Sequence, residues 1–310
     1  MKKTSILRKL LKRDNITVAP GVPNAISAKI AEKTGFEAVY MPGGGTAATI
    51  LGLPDTGLIT MKEMVTFAKY IADAVEIPVI ADADTGFGNA INVMRTVREY
   101  IQAGVAAIHI EDQASPKRCG HTRGKLLIPT EEMIGKLRAA DKVRNEIDPD
   151  FVLIARCDAR TAVGGGIEDL IRRGNAYAKV GADIIFPESP LSTEELELLG
   201  KKIEAPLFAN MIIKGGLTPL VPFKKLQEMG YTIIIIPLAI LQLNIKSIFD
   251  FMRALKENGV DGLQKFENKM VTTAEAFTLV GFPEYHKFEE IYLPKDVLEA
   301  RYKRETPGLI

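Results

Sequence analysis

Short apolar runs alternate with longer amphipathic segments along most of the chain, and this alternation limits the fold more than any other feature. The runs are "ITVAPG" from Ile16, "AVYMPG" from Ala38, "VIADAD" from Val79, "AIHIED" from Ala107, "FVLIARCD" from Phe151, "DIIFPE" from Asp183, "LFANM" from Leu207 and "TIIIIPL" from Thr232. Apolar on both faces and rich in β-branched residues, they read as parallel strands covered by helices. Between them, "NAISAKIAEKTG", "AINVMRTVREYIQAG" and "EDLIRRGNAYAKVG" carry helical spacing and close on glycine. Strand–helix units in series predict an α/β protein, a (β/α)8 TIM barrel, with an open doubly wound sheet as the alternative. The 310 residues read as one barrel domain, 1–310. From about 257 to 310 there is more helical pattern than a barrel needs, and that stretch reads as a C-terminal helical extension.

Forty basic residues balance 39 acidic ones, for a net charge of +1, which leaves no electrostatic case for nucleic acid or an anionic membrane as partner. Two cysteines, Cys119 and Cys157, cannot build a disulfide framework, so a reducing compartment is expected. The opening "MKKTSILRKLLKRDN" lacks the apolar core of a signal peptide, and "TIIIIPLAIL" falls short of the ~20 residues of a membrane span. A soluble, cytoplasmic protein is the expectation.

Several apolar runs finish in polar groups: Asp82 and Asp84, Glu111 and Asp112, Arg156 and Asp158, Glu188, Asn210. In a barrel these strand ends converge on the mouth where active sites are built. Asp112 and Asp158 also suit a simple helix-capping role. Asp82 and Asp84, two residues apart, share a face if one strand runs through both, as do His109 and Glu111. Carboxylates gathered at one mouth repel unless a cation sits among them. Oxygen donors favour Mg2+, with Mn2+ possible, over zinc. A salt-bridge cluster with Arg156 is the alternative.

The motifs "LGLPDTG", "DADTGFG", "EDQASPKRCGH", "ARCDAR" and "FPE" stand in the order and spacing of the isocitrate lyase and phosphoenolpyruvate mutase superfamily, which the chain resembles over roughly residues 15–256. The resemblance implies a barrel with a swapped eighth helix, assembled as a homotetramer of paired subunits. It implies Mg2+ held by Asp84 and supported by Asp82, Glu111 and Asp55, largely through waters. Substrates would be small 2-oxo or 2-hydroxy acids. The carbon–carbon lyases of the superfamily carry the loop cysteine, and its mutases lack it.

Cys119 lies in the glycine-flanked cationic stretch "SPKRCGHTRGK". By the resemblance it is the general acid that protonates the carbanion left by cleavage, and Lys117, Arg118, His121 and Arg123 are expected to lower its pKa. An inert thiol is the plain alternative, and it is the reading adopted for Cys157. Arg156 is expected to hold the developing enediolate charge. Gly43 and Gly44 would offer amides to the substrate carboxylate; they follow Pro42, where the superfamily usually has serine. Gly120, His121, Glu188 and Asn210 would complete the substrate wall. Tyr40 either relays the hydroxyl proton or is a core tyrosine.

Departures from the superfamily pattern bear on the substrate. Its tricarboxylate-cleaving members carry extra donors that "ANMIIKGGLTP" lacks, and Gln242 stands where they have an arginine. Losing a charged contact to a buried carboxylate costs roughly 2–5 kcal/mol, so a third carboxylate is poorly served unless Lys214 reaches it. A dicarboxylate with apolar substituents fits better, with Ile212, Ile213 and Leu241 as its apolar surface. The expected reaction is cleavage of 2,3-dimethylmalate to pyruvate and propionate. The first alternative is 2-methylisocitrate, giving pyruvate and succinate. The second is oxaloacetate or another 2-oxo acid, against which Pro237 replaces a serine of that branch. Other classes lack their groups. A phosphate site at Gly215 and Gly216 has no partner glycine on the last strand, and no lysine ends a strand for Schiff-base chemistry.

Overall fold

The computed structural model describes residues 1–302, and each apolar run forms a strand in it. These are β1 (Thr17–Pro20), β2 (Val39–Met41), β3 (Val79–Asp82), β4 (Ala107–Glu111), β5 (Val152–Cys157), β6 (Ile184–Pro187), β7 (Leu207–Asn210) and β8 (Tyr231–Ile236). All pair in parallel in the order β1-β8-β7-β6-β5-β4-β3-β2. The ring closes where Gly21 bridges Tyr40 and the Val22 amide donates to the Tyr40 carbonyl at 2.7 Å. That closure decides for the barrel against the open sheet.

Helices connect the strands: α1 (Lys3–Leu11), α2 (Ala25–Lys33), α3 (Gly43–Leu51), α4 (Met61–Ala74), α5 (Ala90–Gln102), α6 (Thr130–Ile147), α7 (Ile167–Ala178), α8 (Thr193–Lys202), α9 (Phe223–Glu228) and α10 (Ala239–Asn258). Their starts are written in the sequence. Thr60 and Glu63 form a reciprocal capping box on α4, and Asn24, Asn89 and Ser192 cap α2, α5 and α8. Each such cap contributes about 1 kcal/mol. Two compact units result, Met1–Gln242 with the barrel and Leu243–Ile310. The second holds a 3-10 segment (Gly259–Lys269) and α11 (Thr273–Leu279), α12 (Phe282–Tyr292) and α13 (Lys295–Arg301). No helix among the described residues is long and apolar enough to cross a membrane.

Strand alternation divides the barrel's apolar side chains into two cores. One fills the lumen, with Ala19, Tyr40, Ile80, Ile154, Phe186, Phe208, Ile233 and Ile235, and Leu7 and Leu10 of α1 pack against it as a plug. The other lies between strands and helices, with Val39, Ala81, Ile108, Ile110, Leu153, Ala155, Ile185, Ala209 and Ile234. Cys157 belongs to this outer core, consistent with a packing role.

Candidate active site

Two residues beyond each lumen side chain, the same alternation turns a polar group inward at the strand's C-terminal end. Ile80 is followed by Asp82, His109 by Glu111, Ile154 by Arg156, Phe186 by Glu188 and Phe208 by Asn210. All five polar groups are buried. A cavity opens over them, lined by Tyr40, Pro42, Gly43, Gly44, Asp55 and Asp82 on one side. Cys119, Gly120, His121, Arg156, Glu188 and Asn210 line it on another. Thus Pro42, Gly43, Gly44, Gly120, His121, Arg156, Glu188 and Asn210, expected to hold the polar parts of the substrate, all reach one space; Asp84 and Glu111 lie outside the lining, beside it.

Arg156 organises the charges. Its Nε is 2.8 Å from Asp158 Oδ2 and 3.3 Å from Glu111 Oε2, and a terminal nitrogen is 3.5 Å from Glu188 Oε2. The guanidinium also lies over the Phe186 ring, 5.2 Å from its centroid. Burial opposes its charge, but these carboxylates hold its pKa well above the ordinary value, so it stays cationic. Burial likewise opposes ionisation of Glu188, and there Arg156 and His121 prevail and keep its carboxyl well below the usual range. Asp158 is therefore no helix cap. Neither is Asp112, which accepts from the Asp158 amide at 2.9 Å and from the Tyr177 hydroxyl at 2.8 Å behind the strands.

Asp82 and Asp84 do not share a strand face, because β3 ends at Asp82. Asp84 has φ +45°, a left-handed conformation costing on the order of 1–3 kcal/mol. Asp82 holds this turn together: Oδ1 accepts from the Asp84 amide at 2.8 Å, and Oδ2 from the Gly43 amide at 3.0 Å. The Gly43 amide is thus taken by Asp82. A side chain at residue 43 would meet Asp82 Oδ2 at 2.5 Å, so glycine is required there for close approach.

The carboxylates carry an excess of negative charge suited to a cation. Glu111 Oε1 is buried without a hydrogen-bond partner, and Asp84 Oδ1 and Glu111 Oε2, equally buried, meet only the charges of Lys117 and Arg156. Burial pushes the Asp84 carboxyl up to about 6 and raises Glu111 well above its ordinary value. Buried, oxygen-only donors with few hydrogen bonds fit a hard divalent ion. Among the described residues, however, no three acidic, histidine or cysteine side chains converge as a ligand set. The Lys117 ammonium lies among them instead, in contact with Asp55 and 2.8 Å from Asp84 Oδ1. Glu111, Asp84, Asp55 and Asp82 together hold its pKa well above normal despite burial.

Lys117 belongs to the Cys119 loop, which is seated over the cavity. The Cys119 amide donates to the Asp55 carbonyl at 3.1 Å, and His121 Nε2 lies 3.0 Å from Glu188 Oε1 while its Nδ1 accepts from the Leu217 amide at 2.9 Å. A Cβ on Gly120 would come within 2.4 Å of Arg156 and 2.6 Å of Glu188, so only glycine lets the loop sit this close. The expected net lowering of the Cys119 pKa is not found. Burial raises it and, with Asp55 and Glu188, outweighs the lowering by a hydrogen bond from the His121 backbone and by Arg156, while Arg118 and Arg123 are exposed to solvent. The thiol keeps its proton.

Tyr40 Oη lies 2.8 Å from His109 Nε2 and lines the cavity. Burial raises the tyrosine pKa and lowers that of His109 to about 4, so both are neutral. The remaining wall is apolar: Phe186, Ile212, Ile235, Pro237 and Leu238. Ile213 is 57% exposed and Leu241 does not reach the cavity, so Leu238 takes the place expected of them. Gln242 donates to the Lys214 carbonyl at 3.0 Å, and neither residue lines the space. Lys125 and Ser189 are not singled out by the sequence, which reads Asp158 and Lys117 as a helix cap and as a cation beside the thiol, not as the partners of Arg156 and Asp84. The motifs "ARCDAR" and "SPKRCGHTRGK" contained three of them, but only the fold shows their partners.

A model of the phosphoenolpyruvate phosphomutase family matches residues 7–256. The chain is 46% identical to 2,3-dimethylmalate lyase of Eubacterium barkeri over 92% of this chain and 96% of that protein. It is 41% identical to 2-methylisocitrate lyase of Aeropyrum pernix over 98% and 96%. Among solved structures, a trigonal crystal form of 2,3-dimethylmalate lyase, described as a PEP mutase/isocitrate lyase superfamily member, matches with TM-score 0.87 at 38% identity, covering 94% of this chain and 95% of that one. Phosphonopyruvate hydrolase in complex with oxalate and Mg2+ matches with TM-score 0.84 at 29% identity, covering 95% and 100%.

Proposed function

The chain belongs to the phosphoenolpyruvate phosphomutase family, and on that premise we propose that it is a carbon–carbon lyase that splits 2,3-dimethylmalate into pyruvate and propionate. The observation that carries this reading is the shared cavity of Cys119, a thiol that keeps its proton, and Arg156, a cation that keeps its charge. Cleavage breaks the C2–C3 bond. The C2 hydroxyl loses its proton and becomes the pyruvate carbonyl, while the bonding electrons pass to C3, next to the second carboxylate. Arg156 holds the enediolate charge that develops there. Cys119 then gives its proton to C3, completing propionate. Tyr40, paired with His109, relays the hydroxyl proton; its raised pKa suits a relay and not a base.

Asp84, with Asp82, Glu111 and Asp55, would hold Mg2+, or Mn2+ in its place, and the bound ion would supply Lewis-acid stabilisation of the C2 oxygen. Glu188, His121 and Asn210 orient the acid, with Gly44 and Gly120 allowing close approach and Pro42 shaping the first turn of α3. The apolar wall of Ile212, Pro237 and Leu238 receives the methyl groups.

A second reading, 2-methylisocitrate cleaved to pyruvate and succinate, draws support from the second of the relatives above. Against it, among the described residues Arg156 and His121 are the only cationic or imidazole side chains in the cavity lining, and both already face Glu188. Exposed Leu243, Ile245, Ile248, Phe249 and Met252 on α10 support assembly with further copies of the chain, as a homotetramer. The test is a substrate panel with Mg2+, read as pyruvate through lactate dehydrogenase and NADH. Dimethylmalate should exceed methylisocitrate and oxaloacetate in kcat/KM; pyruvate from none of the three would defeat the proposal.

A further inference from the structure

Lys125 is 1% exposed although Thr122, Arg123 and Gly124 before it and Leu126 after it are exposed. A buried ammonium is costly unless its protons find strong acceptors. Lys125 Nζ has two, the Gly120 carbonyl at 2.5 Å and Asp158 Oδ1 at 3.0 Å. The first is the peptide carbonyl of the residue after Cys119. The second belongs to the carboxylate that grips Arg156 at 2.8 and 3.1 Å. One ammonium therefore ties the proton donor's loop to the partner of the charge-holding arginine.

Ser189 reinforces the same point from the segment just after β6. Its hydroxyl lies 3.1 Å from the Gly120 carbonyl and 2.8 Å from Glu188 Oε1. Its backbone has φ +57°, an uncommon conformation for a residue with a side chain, and in it the single hydroxyl proton has either acceptor within reach. Behind Lys125, the Val163 amide donates to its carbonyl at 3.0 Å, anchoring the lysine to the segment after β5. Packing alone would be served by a methionine or leucine here. The polar connections are what a lysine adds.

We propose that Lys125, with Ser189, is a positioning residue that latches the Gly120 carbonyl and thereby fixes the Cys119 thiol in register with Arg156. The latch rests on the reading of Cys119 as proton donor for its purpose, though not for its existence. Neither residue touches the cavity, so each acts through the groups it holds.

The test measures iodoacetamide labelling of Cys119, site by site by mass spectrometry, in the full-length protein, with buried Cys157 as internal control. Losing a charged, buried hydrogen bond should free the loop, so Lys125→Met should speed Cys119 labelling about ten- to a hundredfold with Cys157 unchanged. Ser189→Ala, a milder change that keeps the fold if Lys125→Met does not, should raise the rate in the same direction by a few-fold. With either variant, kcat for pyruvate release should fall more than KM rises. Unchanged Cys119 labelling in a folded variant overturns the latch, and so does an equal rise at Cys157, which would report general loosening. Faster labelling in the variants of a protein that makes no pyruvate would uphold the latch and defeat the lyase reading instead.

Discussion

Lys117 Nζ lies 2.8 Å from Asp84 Oδ1, with both side chains buried, in the place where the clustered carboxylates of Asp55, Asp82, Asp84 and Glu111 call for a cation. Removing one partner of a buried pair costs about 3–5 kcal/mol because the other charge is left uncompensated. Lys117→Met should therefore lower the Tm of chelator-treated protein, and Mg2+ or Mn2+ should raise the variant's Tm more than the wild type's. Thermal melts with and without the ion check this; equal shifts would show that lysine and ion do not serve the same carboxylates.

Cys119→Ser keeps the loop's size and its amide contact with the Asp55 carbonyl while replacing the acidic thiol with a far weaker acid. A general acid contributes typically ~10²–10⁴-fold. Turnover should fall by about that factor with KM little changed. Steady-state kinetics decide, since a large rise in KM at constant kcat would make Cys119 a binding residue.

Because burial, Asp55 and Glu188 raise the Cys119 pKa, its alkylation rate should climb with a midpoint above the ordinary thiol value. The protonated form is the donor, so activity limited by this group should persist through neutral pH and be lost only as pH rises past that midpoint. A midpoint below the ordinary value would restore the expectation of a cation-activated thiolate.

Leu238 lines the cavity with Ile212 and Pro237. A lost apolar contact to one substrate methyl is worth about 1–3 kcal/mol. Leu238→Ala should then cut kcat/KM for dimethylmalate about tenfold or more relative to unsubstituted malate. An unchanged ratio would place the methyl groups elsewhere.

The barrel was legible because its signals are local: apolar runs of strand length, glycine stops and capping residues such as Thr60 and Asn89 each act within a few residues. The inward polar ring followed from counting by two along strands that were already located. What failed depended on backbone or on distant partners. The left-handed turn at Asp84 broke the assumption that β3 continued. Asp158 looked like a cap until β5 brought it against Arg156 and Lys125. The charge around Cys119 was misjudged because a run of basic residues does not say which way each points. Lys117 turns to the carboxylates, and Arg118 and Arg123 face water.

Proton NMR of the reaction run in D2O tests the central claim most directly. With 2,3-dimethylmalate, Mg2+ and the purified protein, pyruvate and propionate should appear in equal amounts, the propionate carrying one deuteron at C2 delivered from the exchanged Cys119 thiol. Intact substrate after prolonged incubation, or pyruvate without an equal amount of singly deuterated propionate, would contradict it.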